Sequence, residues 1–397
     1  MANPIMSLYK RRALSLVCSA LKSNNLLPIS GVQNVRTLYS RATLGLDGFE
    51  LQQNKTRNQM LNIADKFREK MIEYSNVESQ SMVFTEDLKN MIHLTENDDD
   101  VELVVNMLKK YNSQNKQVRF GNYVFGPVVM RMLYYFGKDQ IALELFQNPE
   151  FTGFFDQVIT YQILMDMLYE KARYQDILNV FNEVKERQLE GAKYPRNAVV
   201  LALAACYKLN SKESLEYTVK LWKELSETGH LPMRRATTFA AGLALNQGEP
   251  AIALEILASS RNQNYMTVRS LKASALSDLG RVEDAIPILK SILTDDTSNQ
   301  VPTINKDVIE KVKSAVLKLD SPDTTLEFNR IEQILSKQGS ICDESLDAQL
   351  CSEIQKPPMM NNRERNQGNL QYRNQRNFKP KGRSFTYSQR PGLTDLV

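Results

Sequence analysis

A helix–turn–helix pattern that returns about every 35 residues constrains this 397-residue chain more than anything else in it. Its clearest copy runs from Val158 to Leu189, VITYQILMDMLYEKARYQDILNVFNEVKERQL. Ile159, Ile163, Met167 and Leu168 form one stripe of a 3.6-residue period. Ile177, Val180, Phe181 and Val184 form a second stripe after a polar break near Ala172–Arg173. One such hairpin cannot bury both of its faces alone, so it needs a neighbour of the same shape.

The neighbours are present. Each second helix carries a small or branched residue followed four positions on by a large apolar one: Ala142/Phe146, Ile177/Phe181, Thr218/Trp222, Ala253/Leu257 and Ala285/Leu289. The steps between them are 35, 41, 35 and 32 residues. Gly137, Gly248 and Gly280 lie five residues before the small position, where a tight turn between helices needs positive φ. Asn210 lies eight before its partner, which predicts an insertion in that turn. The pattern specifies an all-α fold, a stacked α-solenoid.

Charge divides the chain into three. Residues 1–41 hold six basic residues and no acid, and residues 355–397 hold nine basic and two acidic. With a total of +4, the middle, 42–354, is left at −9. The first 41 residues read as a mitochondrial presequence, rich in Arg, Lys and Ser and lacking acids, which points to the matrix. Arg36-Thr-Leu-Tyr-Ser40 resembles a matrix-peptidase cleavage region. No run reaches the ~18 apolar residues of a membrane span. Cys18, Cys206, Cys342 and Cys351 show no close spacing, and His93 and His230 are the only histidines, so no metal framework is visible.

Five segments follow: the leader 1–41, N-terminal helices with a degenerate capping hairpin over 42–121, five repeats over 122–296, capping helices over 297–354, and a basic tail over 355–397. Gln52–Tyr74 is expected as one helix, and Thr85–Leu94 with Asp98–Tyr111 as the atypical first hairpin. Asp98-Asp99-Asp100 reads as a helix start complementing its dipole, with Lys109 and Lys110 at the far end, rather than as a metal site. Pro287 is expected in or just past the first turn of its helix. The tail is expected to be disordered, because its Asn, Gln and Arg content buries too little apolar surface.

The segment ITYQILMDMLYEKARYQDILNVFNEVKERQL resembles the pentatricopeptide repeat, with its Thr-Tyr opening, helix, turn and second helix ending in a Phe-x-x-Val-Lys pattern. The last unit, SALSDLGRVEDAIPILKSILTDD, resembles a tetratricopeptide repeat about as well. The resemblance implies a right-handed α-solenoid that reads RNA one base per repeat through a polar residue on the first helix. Carried over from Thr160-Tyr161, that position is Gln162. Counting back fifteen from each small residue gives Pro127, Thr238 and Ser270, with Val200 the nearest candidate in the third repeat. Pro127 and Val200 carry no side-chain hydrogen bond, which leaves Gln162, Thr238 and Ser270 as candidate base readers.

In the tail, Arg363, Arg365, Arg373, Arg376, Lys379, Lys381, Arg383 and Arg390 alternate with Tyr372, Phe378, Phe385 and Tyr387. Cations neutralise phosphates and rings stack on bases, so this tract is a second candidate RNA contact. Arg131, Lys171, Arg173, Arg196, Arg234, Arg235 and Arg269 are candidates for a local basic strip on the solenoid. The acidic body opposes tight RNA binding along the whole groove. No nucleophile–base–acid set, phosphate-binding glycine loop or nuclease-like acidic cluster is visible, so no enzyme and no cofactor are expected. The resemblance implies a non-catalytic factor in mitochondrial transcript processing. It would bind single-stranded mitochondrial RNA and work beside an RNA-processing nuclease or ribosome-associated proteins. The alternative is a protein–protein scaffold with a groove for a peptide or helix.

Overall fold

Chain reversal sets the architecture, and one left-handed residue per hairpin accomplishes it. The computed structural model describes residues 37–76, 79–115, 123–188, 193–261, 263–294 and 302–355. Helices α1 (Arg41–Leu44), α2 (Leu46–Met60), α3 (Ala64–Ser75), α4 (Thr85–Leu94) and α5 (Asp98–Asn115) open the chain. Five hairpins follow: α6 (Gly126–Tyr135) with α7 (Asp139–Gln147), α8 (Val158–Glu170) with α9 (Tyr174–Arg187), α10 (Arg196–Leu209) with α11 (Lys212–Glu227), α12 (Arg234–Asn246) with α13 (Pro250–Ala258), and α14 (Met266–Asp278) with α15 (Val282–Leu293). Then come β1 (Ile304–Asn305), α16 (Lys306–Leu319), α17 (Pro322–Lys337), β2 (Ile341–Cys342) and α18 (Leu346–Leu350).

The turn residues are Gly137 (φ 65°), Ala172 (56°), Asn210 (46°), Gly248 (78°) and Gly280 (71°), and each second helix starts two residues later. In four of them the next amide reaches back into the finished helix. Lys138, Arg173, Glu249 and Arg281 donate to the carbonyls of Leu133, Leu168, Ala244 and Leu276 at 2.8–2.9 Å. Asp320 (φ 50°) turns α16 into α17 in the same way, so the expected closing pair is a sixth hairpin of the same build.

The insertion expected at Asn210 is not there. That turn has the common length, and Ser211 caps α11 by accepting the Ser214 amide at 3.1 Å. Five residues after Asn210 stands half-buried Leu215 rather than a small residue, and the buried Ser214 and Thr218 lie one turn apart on either side of it. Two other boundaries also differ. The helix expected over Gln52–Tyr74 is broken at residues 61–63. The expected leader, 1–41, overlaps the folded body: Leu38 and Tyr39 are buried and Arg41 already begins α1. Pro287, the sixth residue of α15, stands just past the first turn, where its missing N–H leaves one internal bond unmade.

The first helices stack in a row, α6 on α8, α8 on α10, α10 on α12, α12 on α14 and α14 on α16, with the second helices on the outside. Burial follows from this layering. The outer α9 buries one stripe, Ile177, Leu178, Val180, Phe181 and Val184. The inner α8 and α10 are buried without interruption from Thr160 to Tyr169 and from Ala198 to Tyr207. Small side chains at Ala202, Ala204, Ala205, Ala240, Ala241 and Gly242 allow α10 and α12 to approach closely. One apolar core runs from Leu38 to Leu350, and a second, around Val282, Val312, Phe328 and Leu335, joins the fifth and sixth hairpins.

Candidate nucleic-acid interface on the inner wall

Counted back from each left-handed turn residue, the positions at 13, 10, 6 and 3 fall on one face of the first helix, since their spacings are three, four and three. In α8 these are Ile159, Gln162, Asp166 and Tyr169; in α10, Asn197, Val200, Ala204 and Tyr207. In α12 they are Arg235, Thr238, Gly242 and Leu245; in α14, Thr267, Ser270, Ser274 and Ser277. In α6, Pro127, Arg131 and Tyr134 occupy the last three. Together they make the inner wall. With no insertion at Asn210, the same count puts Val200 at the reading position of the third hairpin.

The three candidate readers lie on this wall in one register, and all three are buried. Gln162 is 3 % exposed, Thr238 1 % and Ser270 0 %. Gln162 Oε1 accepts from Asn197 Nδ2 at 2.8 Å, a bond between neighbouring first helices. Its Nε2 has no partner among the described residues, and neither does Ser270 Oγ. Thr238 Oγ1 donates to the Arg235 carbonyl at 3.0 Å.

Two segments at the margins of the described body lie against the wall. Near the start, the Tyr39 amide donates to Asp166 Oδ1 at 3.0 Å, Tyr134 OH donates to Oδ2 at 3.3 Å, and Arg131 Nε donates to the Leu44 carbonyl at 2.8 Å. Near the other end, Arg235 Nη1 donates to the carbonyls of Leu350 and Gln349, at 2.6 and 3.3 Å, and its Nη2 to Ser352 Oγ at 2.8 Å. Lys208 pairs with Asp347 at 3.5 Å. The two segments join each other in a short parallel bridge, Ile354 amide to Leu38 carbonyl at 2.8 Å and Ser40 amide to Ile354 carbonyl at 3.1 Å. Gly242 is required here: a Cβ on it would come within 2.9 Å of the Tyr207 ring and 3.2 Å of Leu350 Cδ1.

Burial governs the electrostatics of the wall. It pushes the Asp166 carboxyl up to about 7, against the Tyr39 amide and Tyr134 hydroxyl that favour the ionised form, while Glu170 raises it further. It lowers the guanidinium groups of Arg131 and Arg235.

The seven basic residues expected as a strip do not form one. Arg131 and Arg235 face the wall and hold its cover. Arg173 is tied at its hairpin turn to Asp139 and Asp176, both at 2.7 Å. Arg234 lies over the Tyr265 ring, 3.4 Å from its centroid. Arg196 and Lys171 are exposed at helix ends, and Arg269 is buried. Asp98 and Asp100 pair with Lys138 and Arg68, at 2.6 and 3.3 Å. The tail candidates Arg363, Arg365, Tyr372, Arg373, Arg376, Phe378, Lys379, Lys381, Arg383, Phe385, Tyr387 and Arg390 lie outside the described residues.

Sequence reasoning passed over Asp166, Tyr169, Tyr207, Gly242 and the covering segment. Two signals were available: one carboxylate inside the apolar run of α8, and one glycine inside α12.

No family model matches the chain. It is similar to pentatricopeptide repeat-containing protein 2, mitochondrial, of Homo sapiens, 34% identical over 272 residues that cover 68% of this chain and 69% of that protein. The mouse (Mus musculus) protein of that name is 31% identical over 71% of this chain and 74% of its own length. The Xenopus laevis protein is 29% identical over 82% and 84%. The relatives are named as mitochondrial, which supports a mitochondrial location for this chain.

Proposed function

Because the chain belongs to the family of mitochondrial pentatricopeptide repeat-containing protein 2, we propose that it is an RNA-binding factor of the mitochondrial matrix. It holds a short single-stranded segment and takes part in transcript maturation without cutting the RNA itself. The observation that carries this reading is the register of the wall. Six hairpins repeat one turn geometry, and Gln162, Thr238 and Ser270 stand at one equivalent position in three of them. Buried polar atoms without partners, Gln162 Nε2 and Ser270 Oγ, suit a ligand that brings hydrogen-bonding edges.

Affinity in this reading comes mainly from the tail. The body is acidic, and phosphate contacts dominate nucleic-acid affinity. Arg363, Arg365, Arg373, Arg376, Lys379, Lys381 and Arg383 supply cations, and Tyr372, Phe378, Phe385 and Tyr387 supply stacking surfaces. The wall then contributes selection over a few bases. Bound RNA shields or presents a site to a separate nuclease or to ribosome-associated proteins.

The test is filter binding of the chain from Thr37 onward to mitochondrial transcripts. Retention above that of a neutral helical-repeat protein is expected; retention no greater than that control removes the RNA reading. A second reading, a scaffold for a protein partner, is favoured by one observation: Arg235 holds a peptide segment by its carbonyl groups.

A further inference from the structure

We propose that residues 346–354, joined to 38–40, are a displaceable cover of the inner wall, and that single-stranded RNA competes with this cover for the same face. The inference rests on the RNA reading above and adds to it a mode of regulation.

Three observations carry it. The cover and the readers share a stripe: Arg235, which grips the cover, and Gly242, which receives Leu350, stand three residues before and four after Thr238 on α12. Asp166, which holds the Tyr39 amide, stands four after Gln162 on α8. RNA cannot lie along this stripe while the cover is seated.

Toward the cations of the wall, the cover presents the oxygen acceptors that a nucleic acid would present. Arg235 meets carbonyl oxygens and Lys208 meets the Asp347 carboxylate. Both cations bind phosphate oxygens equally well, and a guanidinium does so in paired fashion. At Arg235 and Lys208 displacement exchanges one set of oxygen acceptors for another, while at Asp166 and Asp307 it removes the Tyr39 and Leu346 amides, which donors on the bases must replace.

Finally, the cover is held lightly. This holds for its 346–354 segment, where only Leu350 is fully buried and Asp347 and Glu353 are exposed, whereas Leu38 and Tyr39 of the joined segment are buried. A cavity of about 240 Å³, lined by Tyr207, Asn246, Ser274, Asp307, Lys311 and Leu350, remains beside it. Segments with few buried apolar contacts open at low free-energy cost. In the sequence the cover ends at Ile354 and the basic tail begins at the next residue, so RNA held by the tail is tethered beside the segment it must displace.

Hydrogen exchange on the full chain, with and without a mixed-sequence single-stranded RNA oligonucleotide, decides the matter. Binding normally protects amides. Here RNA is expected to speed exchange at Tyr39, Ser40 and Ile354 while slowing it elsewhere on the wall. Unchanged or increased protection at those three amides in the RNA-bound chain overturns the proposal. Leu350→Asp, which drives the cover off, is expected to tighten RNA binding about tenfold if the open state is a minor one. Equal or weaker binding by this variant, with its helical content intact, overturns the cover and leaves the RNA reading standing. If neither the wild-type chain nor the variant binds, the RNA reading itself fails and the proposal goes with it. Should the variant not fold, the exchange experiment on the wild-type chain stands alone.

Discussion

Asp166 occupies the middle of Ile163-Leu-Met-Asp-Met-Leu-Tyr169, a run in which every neighbour is apolar, and it is fully buried. Its carboxyl is pushed up to about 7 by burial. The folded chain therefore binds this proton more tightly than the unfolded chain, whose carboxyl titrates near 4. Its contribution to stability is complete below pH ~4, declines as pH rises toward 7 and is lost above that. His93 works in the opposite sense. Burial, then Lys89, lower its imidazole to about 4, so its contribution is intact above pH ~6.5 and is lost as pH falls toward 4. The two slopes oppose each other between them. Asp166→Asn keeps an oxygen for the Tyr39 amide and removes only the first slope. Thermal melts at pH 4 and pH 8 are expected to separate wild type from variant by little at the lower pH. At the higher pH the variant should be more stable by on the order of a few kcal/mol. A difference that does not change with pH would mean that Asp166 is already ionised in the fold.

The turns between paired helices were the most legible elements in the sequence. Gly137, Gly248 and Gly280 announced them, because a left-handed residue is needed and glycine supplies it at no steric cost. Asn210 announced a turn but misled on its length: the spacing to Thr218 was read as an insertion, whereas the turn has the common length and the position five after Asn210 is Leu215, which is not small. The second hairpin turns on Ala172, which carries a Cβ into the same conformation at φ 56°. Left-handed backbone costs a non-glycine residue about 1–2 kcal/mol. Ala172→Gly relieves that and returns part of it through the freer unfolded chain, for a net gain of about 0.5–1 kcal/mol. Ala172 is exposed, so no packing is lost. A rise in Tm of about 2 °C is expected; a fall would mean that the alanine methyl makes a contact that outweighs the strain. The covering segment, by contrast, could not be read. Periodicity reports which residues of a helix face a core and not which distant segment supplies it. Leu38, Tyr39 and Leu350 are too few and too scattered to show a pattern of their own.

At the scale of the molecule, layering decides which faces stay free. A first helix in an open solenoid would keep its inner stripe in solvent, yet α8 and α10 are buried without interruption. Gln162, Thr238 and Ser270 could be placed in one register from the sequence, but the cover of their neighbours on the wall could not, since it comes from segments more than a hundred residues away, as with Tyr39 on Asp166 and Leu350 on Arg235. In the RNA-binding reading, with the wall covered and the body at −9, first contact would fall to the nine cations of residues 355–397. Each cation seated on a phosphate of a single strand contributes about 0.7 to the slope of log affinity against log salt, so the tail can supply at most about 6. Deleting 355–397 is therefore expected to weaken RNA binding most at low salt and to flatten this slope. Deleting 346–397 removes the cover as well, and should recover part of the lost affinity without restoring the slope. A truncation at 355 that leaves the slope unchanged would move the phosphate contacts onto the folded body. The exposed Arg196 and Lys171 at the helix ends would then be the first to substitute.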